Sequence, residues 1–502
     1  LYTDREYHKN EGVFEPRNQQ QILSLYHYNA KDVVTLALLK PKLDLHAKQL
    51  YAEDSIRQVN ESVTPYLTAM FQGLNYDKDK LEARIAYNNR YCAQISRMLS
   101  ILVGYELNPN SPKQVSNYLY NCMKYKKPAK DLTNEKTILQ LRLKHNNPVL
   151  TLILKYREIA KQSGQLKFPP YVPRGTTKER VTTAYNLAGT TTYRLASRRL
   201  LNRWGTNVQN FPKDLRKLFI PDEGKVFIQV DQSGAEALVV SYLCTEGNFR
   251  SLFLHGIKSH VYVALRLFAD VWSSEMGHSV DEFCTAPIDK VATLKGWADL
   301  DKVIKSSDGW SAEKRYYFIS KMVCHASNYG MKPPTFRLNL LQKSEGKVSI
   351  SLPEAKRFLN TYHELFPEIQ LWHRETVNTL RRDGILRNLF GYPRVFTAQV
   401  EESMYKEAYA FVPQSTVGTI TNLTFSKMQQ KIEDPNDKLS GMNVDIVQNN
   451  HDSVLIQCPP EHADYVAKET VDVMNCDLVS PRGERFKMKS EACIGDTWGG
   501  LA

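Results

Sequence analysis

The chain has 502 residues, of which 42% are hydrophobic, so it is too long for one core and too apolar to be disordered. Its formal net charge of +12 favours a polyanionic partner such as nucleic acid. The 8 cysteines show no CxxC pair and no zinc spacing, which indicates free thiols and argues against a secreted disulfide scaffold. Because the sequence has no membrane-length apolar run and no signal peptide, we expect about three domains, no membrane contact and a cytoplasmic location, with an organelle as the alternative.

The first 45 residues are polar and then helical. Tyr28 and Asp32 precede an apolar run that would normally pack on a larger domain. Because the chain begins at Leu1 rather than Met, within a charged stretch, we interpret it as a fragment or a processed product.

Residues 46–165 have the periodicity of helices with charged faces. One helix is predicted from about Pro148 to Gln162, with an apolar stripe and a basic opposite face. The stripe consists of Val149, Leu152, Ile153, Tyr156 and Ala160, and the basic residues are Lys155, Arg157 and Lys161. A preceding lysine cluster is either a solvated loop or a contact to a phosphate backbone. It consists of Lys124, Lys126, Lys127 and Lys130.

Residues 166–224 are rich in loops. Hydroxyl and amide side chains are interleaved with arginines here, above all in the stretches Thr190–Ser197 and Asn207–Pro212. Such side chains suit positioning contacts to phosphate and sugar.

A buried strand, a turn and the start of a helix follow one another in the next stretch. The apolar run Val226–Val230 predicts a strand that ends at Asp231. Ser233 and Gly234 form the turn, and a helical pattern begins at Glu236. A carboxylate at the end of a rigid strand can be held firmly enough to bind a metal ion, although an aspartate here could equally cap the next helix.

A second helix of interest is predicted from Ala312 to Met331. Ser311 suits its N-cap, and Gly330 suits its end. One face, which should be buried, carries Ile319, Met322, Val323 and Ala326, and the other carries Tyr317, Lys321, His325 and Tyr329. A lone lysine is usually just solvated, but a lysine among aromatic rings could meet a triphosphate while the rings stack on a base.

Two β-rich runs between Val444 and Gln457 flank turn residues, which predicts a hairpin with Asp452 at its tip. The alternative is an ordinary solvated hairpin. Asp231 and Asp452 are far apart in sequence and can meet only if a sheet brings their strands together. Mg²⁺ is usually held by one or two carboxylates plus substrate phosphates, and paired ions can clamp both oxygens of a phosphoryl transfer.

Together these segments resemble the family A DNA polymerases. Motifs A, B and C of that family are matched by Asp231-Gln-Ser-Gly-Ala-Glu236, Lys321-x3-His325-x3-Tyr329-Gly330 and His451-Asp452-Ser453. Supporting matches occur in the same order, from Tyr156-Arg-Glu-x-x-Lys161 to Ile494-Gly-Asp-x-Trp498. The resemblance covers roughly residues 105–500, and ten short motifs in order argue against chance.

The resemblance implies an α+β, multidomain right-hand polymerase fold with an antiparallel palm sheet and helical fingers and thumb. The implied regions are an exonuclease-like remnant at 1–45, the thumb at 46–185, a first palm segment at 186–244, the fingers at 245–410 and a second palm segment at 411–502. Tyr28-x3-Asp32 resembles the last motif of a 3′–5′ exonuclease. Because one carboxylate cannot build a two-metal nuclease site, we expect no proofreading from this chain alone.

The family's functional residues carry over by position. Asp231, Asp452 and Lys321 would be catalytic, and Asp231, Asp452 and the Gln232 carbonyl would hold two Mg²⁺ ions, with Mn²⁺ as an alternative. The residues matched to nucleotide binding are Lys321, Tyr329, His325, His260, Glu236, Ser233 and Gly234, and Lys314 is added to them as a hypothesis. Glu236, hydrogen-bonded by Tyr329, would block a ribose 2′-OH. The residues matched to primer and template contacts are Arg194, Asn207, Gln209, Gln414, His451, Tyr156, Arg157 and Lys161.

Three positions depart from the family pattern. Tyr317 stands where motif B usually has an arginine; we hypothesise that Lys314, on the same helical face as the motif B lysine, supplies the charge and that Arg315 does not. Lys314→Ala should then raise the nucleotide KM far more than Arg315→Ala. His325 replaces the usual Phe or Tyr, which leaves sugar discrimination open. Ser453 replaces an acid and so removes a second carboxylate from the metal site.

The leading hypothesis is a DNA-templated DNA polymerase of a phage, which extends a primer with dNTPs in the host cytoplasm. A processivity factor or other replisome proteins are candidate partners. A single-subunit RNA polymerase or reverse transcriptase is a second hypothesis, against which Glu236 argues. A catalytically silent DNA-binding subunit is a third, against which Asp231, Asp452 and Lys321 argue.

Overall fold

The computed structural model describes residues 19–128, 132–173, 176–200, 204–397 and 401–501, and it divides into two compact units. The first comprises residues 1–57 with 391–393, and the second comprises the rest. Helix α1 (Gln19–Gln49) belongs to the first unit and contains both Tyr28 and Asp32. Its apolar side chains are largely exposed, with Leu36 at 65% and Leu38 at 69%.

Helices dominate the described residues between 19 and 166, as predicted. They are α2 (Glu53–Glu61), α3 (Val63–Gln72), α4 (Lys78–Val103), α5 (Pro112–Ser116), α6 (Glu135–Lys144) and α7 (Pro148–Leu166), with a π-helical turn at Asn117–Cys122. Helix α7 starts where the sequence predicts, since Pro148 needs no N–H partner and the Asn147 side chain caps the N–H of Val149 at 2.9 Å. A core around Leu99 and Leu150 joins α4 to α7.

The strands are short except at one sheet. They are β1 (Asn75–Tyr76), β2 (Ala184–Asn186), β3 (Ala196–Arg198), β4 (Phe219–Ile220), β5 (Val226–Gln232), β6 (Ile385–Arg387), β7 (Pro393–Val395), β8 (Asp445–Asn450), β9 (Ser453–Cys458), β10 (Asp477–Val479), β11 (Arg485–Lys487) and β12 (Ser490–Gly495). Four of them form an antiparallel sheet in the order β12-β5-β9-β8. The predicted strand, hairpin and antiparallel sheet are therefore confirmed.

Both faces of β5 are covered, because its alternate side chains enter two different cores. Ile228 and Val230 point into the largest core of the molecule. Phe227 points the other way and packs in a second cluster with Leu455 and Trp498. Asp231 shares the face of Phe227 because side chains two residues apart lie on the same side of a strand.

Helices also surround the sheet and fill the segment before α20. They are α8 (Lys213–Arg216), α9 (Ala235–Leu243), α10 (Asn248–Leu254), α11 (Ser259–Leu267), α12 (Ala269–Met276), α13 (Asp281–Thr285), α14 (Ile288–Val291), α15 (Trp297–Ser306), α16 (Tyr316–Asn328), α17 (Pro333–Lys343), α18 (Leu352–Leu365), α19 (Pro367–Asp383), α20 (Glu402–Glu433) and α21 (Ala463–Met474). Short 3-10 turns occur at Lys438–Gly441, Pro460–His462 and Trp498–Gly500. In the described residues of the chain, none of the helices has both the length and the apolar character needed to cross a membrane.

Helix α16 is shorter than the sequence predicts. It begins at Tyr316 rather than Ala312, and Arg315, not Ser311, occupies its N-cap. The Ser311 hydroxyl instead accepts the N–H of Lys314 at 3.1 Å within a turn before the helix. Ser311 therefore caps a local turn, which is the competing use of a serine side chain.

Candidate active site

The two aspartates predicted to bind metal meet at one end of the sheet. Asp231 is the register partner of Ser453, and Asp452 occupies the turn just before that residue. The N–H of Gln232 donates to the Asp452 carbonyl at 3.1 Å and fixes the turn against β5. Loss of water around the Asp452 carboxyl, followed by the negative charge of Asp231, raises the pKa of Asp452 above its ordinary value.

This donor set fits a hard divalent cation. Two carboxylates that repel each other gain from a shared positive ion, and Mg²⁺ takes most of its other ligands from water and phosphate. Within the described ranges, no group of three His, Cys, Asp or Glu side chains is arranged to hold a metal. Asp231 and Asp452 are the carboxylates predicted to bind metal here, and the Gln232 carbonyl stays a prediction as a further ligand.

A relay of hydrogen bonds orients Asp231. The Trp498 indole donates to Gln229 Oε1 at 2.9 Å, and Gln229 Nε2 donates to Asp231 Oδ2 at 2.5 Å. Gln229 and Asp231 are two residues apart on β5 and so share a face. Gln229 received no role from the sequence, although its spacing from Asp231 is a signal that could have assigned one.

Arg216 adds a positive charge beside the aspartates, and sequence reasoning missed it. Its guanidinium donates to the Phe211 carbonyl at 3.1 Å and lies over the Trp498 ring, 4.6 Å from the centroid. Burial lowers the pKa of Arg216, while attraction to Asp231 and Asp452 opposes that shift. Nothing in the local sequence separates Arg216 from a solvated helical arginine.

Glu236 forms a second focus, in the first turn of α9. Its carboxylate accepts hydrogen bonds from Arg194 and from the Tyr329 hydroxyl, and the predicted bond between Tyr329 and Glu236 is confirmed. The Gln414 side chain also bonds Tyr329, and burial and the Glu236 charge raise the pKa of Tyr329. Four residues predicted to contact nucleotide or DNA are thereby brought together from four segments of the chain.

The exposed face of α16 carries the predicted cation. Lys321 Nζ lies 4.7 Å from the Tyr317 ring centroid and 2.6 Å from Asp308 Oδ2. The His260 ring is 6.1 Å from that of Tyr317, and burial together with the Lys321 charge lowers the pKa of His260 to about 4. His260 is therefore neutral at physiological pH and can bind without carrying charge. No role was assigned to Asp308 from the sequence.

His325 and His451 both lie at this site. The His325 ring centroid is 5.0 Å from that of Tyr329. His451, with φ at +62°, forms the tight turn before Asp452, and its buried Nδ1 has no hydrogen-bond partner among the described residues. Burial and then the charges of Arg194 and Arg216 lower the pKa of His451.

The turn after Asp231 also has the predicted form. Gly234 adopts φ of +60°, which favours glycine and lets α9 begin at once. The Ser233 N–H donates to the Lys489 carbonyl at 2.8 Å, and its hydroxyl donates to Glu491 at 3.3 Å. Glu491 is the register partner of Asp231 on β12, another acid that the motif pattern did not single out.

Two side chains predicted to contact DNA make hydrogen bonds within the fold. The Arg157 guanidinium donates to the Pro109 carbonyl at 2.7 Å and also to the Thr133 carbonyl, so it holds loops of its own domain. Gln209 is only 3% exposed, and its amide donates to the Asn449 carbonyl at 3.0 Å. Both side chains therefore have structural partners that their motifs do not reveal, and their contact to DNA stays a prediction.

The premise of the Lys314 hypothesis is also wrong. Because α16 begins at Tyr316, Lys314 does not share a helical face with Lys321. It lines a small pocket with Trp272, Glu275 and Tyr316 instead. Tyr317 itself, rather than a nearby cation, fills the space beside Lys321.

Asn207, Tyr156 and Lys161, which are also predicted to contact DNA, are half-buried or exposed. Asn207 accepts a hydrogen bond from the Ser197 hydroxyl at 2.6 Å. Tyr156 is half-buried and Lys161 is exposed on α7. In the lysine cluster, Lys124, Lys126 and Lys127 are exposed, while Lys130 lies outside the described residues.

A buried polar network supports the hairpin from behind, and sequence reasoning missed it. The Tyr66 hydroxyl donates to Asn422 Oδ1 at 2.8 Å, and Asn449 Nδ2 donates to the Tyr66 oxygen at 2.8 Å. Tyr66 lies on α3, whereas Asn422 and Asn449 lie on α20 and β8, more than 300 residues later in the chain. Only the fold juxtaposes them, so the sequence offers no local signal.

Comparison with known proteins gives one coherent result. The family model described as DNA polymerase family A matches residues 78–277 and 302–500. The chain is 24% identical to the thermostable DNA polymerase I of Thermus aquaticus over 462 residues, covering 88% of the chain and 48% of that protein. It is 22% identical to the DNA polymerase I of Helicobacter pylori over 484 residues, covering 93% of the chain and 47% of that protein. The chain thus spans about half the length of the curated relatives it matches.

A solved structure agrees with this fold. The structure described as the POL domain of Pol1 from M. smegmatis in complex with DNA primer-template and dNTP matches with a TM-score of 0.68 and 19% identity. The match covers 91% of this chain and 73% of that one. The right-hand polymerase fold is therefore confirmed, together with a family match over most of the chain, and this chain belongs to DNA polymerase family A.

Proposed function

We propose that the chain is a DNA-templated DNA polymerase that adds deoxynucleotides to a primer 3′ end. One observation carries the proposal. Asp231 and Asp452 lie 221 residues apart in sequence, but the pairing of β5 with β9 brings them together at one end of the sheet. The relatives are named DNA polymerase I, and the M. smegmatis domain is described with primer-template DNA and dNTP. The net charge of +12 suits a nucleic-acid substrate.

Asp231 and Asp452 would hold two Mg²⁺ ions, or Mn²⁺, with the Gln232 carbonyl as a further ligand. Such ions supply charge stabilisation for both oxygens of a phosphoryl transfer. The chain's own role is to hold the carboxylates still, through Gln229 and Trp498 on one side and the turn at His451 on the other. Arg216 limits the local excess of negative charge.

The incoming nucleotide would lie between α16 and Glu236. Lys321 would meet its phosphates, and the neutral His260 would add a hydrogen bond without repelling Lys321. Glu236, held by Arg194 and Tyr329, would exclude a ribose 2′-OH. His325 packs on Tyr329 and would contact the same region of the substrate.

The primer-template would pass Arg194, Gln414 and His451, and the exposed lysines near Lys124 would meet its backbone. In this proposal residues 46–185 are the thumb, 245–410 the fingers, and 186–244 with 411–502 the palm. Other replication proteins are candidate partners.

We further propose that this polymerase replicates a phage genome in the cytoplasm of the host cell. The Ser233-Gly234 spacing and the serine at position 453, resembling phage members of the family, support it. The expectation of no proofreading stays a prediction, to be measured as removal of nucleotides from a primer 3′ end.

Primer extension tests the proposed function. Wild-type protein should extend a primer with dNTPs in the presence of Mg²⁺, and Asp452→Asn should lower the rate about 100-fold or more because it removes a charged ligand. The matched control is Asp477→Asn, an exposed aspartate on β10, which should extend at the wild-type rate. Folded wild-type protein that binds primer-template but does not extend it would contradict the proposal and favour a silent binding subunit.

A further inference from the structure

Lys321, the proposed phosphate ligand, already has an anionic partner within the protein. Asp308 Oδ2 lies 2.6 Å from Lys321 Nζ, and the two side chains are 41% and 40% exposed. Asp308 lies in the loop between α15 and α16, thirteen residues before the lysine. This pair belongs to neither the metal site nor the Glu236 cluster.

The loop that carries Asp308 is fixed to the start of α16. The Tyr317 N–H donates to the buried Ser307 hydroxyl at 3.2 Å, and that hydroxyl donates to the Ile304 carbonyl at 2.6 Å. Asp308 follows directly, so its carboxylate is aimed along the helix toward Lys321. The Tyr317 ring also lies beside this ammonium, with its centroid 4.7 Å from Lys321 Nζ.

We propose that Asp308 is an internal competitor for the nucleotide's phosphates, which sets how tightly Lys321 binds a polyphosphate and helps to release the product. This inference rests on the proposed function. A phosphate group that approaches Lys321 must either displace the Asp308 carboxylate or tolerate a second negative charge beside it. Either course weakens polyphosphate binding.

The size of the effect follows from exposure. Ion pairs between exposed side chains are worth up to about 1 kcal/mol, so Asp308 should weaken phosphate binding by up to about fivefold. A pair of that strength can be opened by an incoming polyphosphate. It can also re-form when pyrophosphate leaves, which would speed the release of that product.

Binding of inorganic tripolyphosphate, measured by calorimetry, tests the inference without relying on catalysis. Asp308→Asn keeps the shape of the side chain and removes its charge, so it should bind tripolyphosphate more tightly than wild type, by up to about fivefold. In primer extension, the same variant should lower the dNTP KM and the pyrophosphate inhibition constant by a similar factor. Asp308→Ala should behave likewise, which guards against a defect specific to one variant.

Two comparisons make the result specific. Asp299→Asn removes an equal charge from the exposed side of α15. It should leave the tripolyphosphate affinity, the dNTP KM and the pyrophosphate inhibition constant unchanged. In a Lys321→Ala background, the effect of Asp308→Asn should shrink toward none, since coupled residues are not additive. An unchanged or weaker affinity for tripolyphosphate in both Asp308 variants would overturn the inference. Failure of wild type to extend a primer would instead count against the proposed function.

Discussion

At the scale of single residues, charged side chains of the site are held by hydrogen bonds or ion pairs to neighbouring side chains. Glu236 is held from two sides, by Arg194 and Tyr329, and all three side chains are partly or wholly withdrawn from water. Because a buried carboxylate loses much of its hydration, each donor it keeps matters more than it would at the surface. The position of Glu236 should therefore depend on the Tyr329 hydroxyl.

Tyr329→Phe removes that hydroxyl and keeps the ring. Hydrogen bonds to charged groups are worth about 1.5–3 kcal/mol, so Glu236 should become less well placed and selection of dNTPs over rNTPs should fall by about fivefold or more. The measurement is the ratio of kcat/KM for a dNTP and the matching rNTP. Tyr316→Phe serves as the control, since the Tyr316 ring packs on Trp272 and Phe268. An unchanged ratio in Tyr329→Phe would show that Arg194 alone places Glu236.

Residue motifs predicted some of this site well. Asp231, Asp452 and the Tyr329–Glu236 bond could be named because each lies in a short motif with fixed spacing. Asp308 and Arg216 could not, because each acts through a partner that is remote in sequence or in another element. The DNA contact of Gln209 stays a prediction, and its motif gave no sign that the side chain also holds the Asn449 carbonyl.

At the scale of elements, α16 and the hairpin of β8 and β9 are both anchored at their ends. The Tyr362 hydroxyl donates to Asn328 Oδ1 at 2.6 Å, and His373 Nε2 lies 2.8 Å from the Asn328 carbonyl. These contacts close the C-terminal end of α16, while Ser307 and Asp308 close the other. The hairpin rests on Tyr66 and Asn422 through Asn449.

Removal of the Tyr66 hydroxyl tests the support of the hairpin. Tyr66→Phe leaves the stacked ring on Phe425 but strips partners from Asn422 and Asn449, which should cost about 1–3 kcal/mol of unfolding free energy. Urea denaturation measures this change. Tyr76→Phe is the matched control, because the Tyr76 hydroxyl donates to Glu179 near the surface and its loss should cost about 0.5 kcal/mol or less. Equal losses in both variants would argue against a buried network.

Element boundaries were harder to predict than element types. Pro148 marked the start of α7 correctly, because proline and a preceding asparagine act locally. The start of α16 was placed four residues early, because Ser311 could cap either a helix or a turn and only the packing around Tyr316 decides. That error is what made Lys314 look like a member of the cationic face.

At the scale of the whole molecule, distant segments converge on one sheet, and the order of the motifs predicted this. Within the second unit, the large core continues from Ile228 and Val230 of β5 to Ile319 and Val323 of α16. Long-range partners such as Tyr66 and Asn422 were beyond prediction, because their side chains are buried polar groups whose use depends on the finished fold. The surroundings of His373 were beyond prediction for the same reason.

Stability should depend on pH through His373. Its ring stacks on Tyr409 with centroids 4.0 Å apart, and burial, with a smaller effect of the His363 charge, lowers the pKa of His373 to about 4. An unfolded histidine titrates near 6.5, so between about pH 6.5 and 4 the unfolded chain binds the extra proton. The unfolding free energy should therefore fall as pH falls through this window, by on the order of 3 kcal/mol for this residue.

The pH dependence of urea denaturation checks this. His373→Gln should be less stable at pH 7 and should show a shallower decline between pH 6.5 and 4. His278→Gln, which changes an exposed histidine, should keep the wild-type slope. A wild-type slope in His373→Gln would mean that other groups govern the acid transition.

The pairing of β12 with β5 has a consequence for synthesis. Residues 490–495 pair along one edge of β5, the strand that contains Asp231, and the Trp498 indole donates a hydrogen bond to Gln229 of that strand. A ribosome must therefore translate some 270 residues beyond Asp231 before this carboxylate gains its full surroundings, as the hydrogen bond between Trp498 and Gln229 spans 269 positions. A nascent polypeptide folded only as far as β9 would still lack β12 and Trp498 beside Asp231. The complete site should therefore form only after residues 490–498 have been translated.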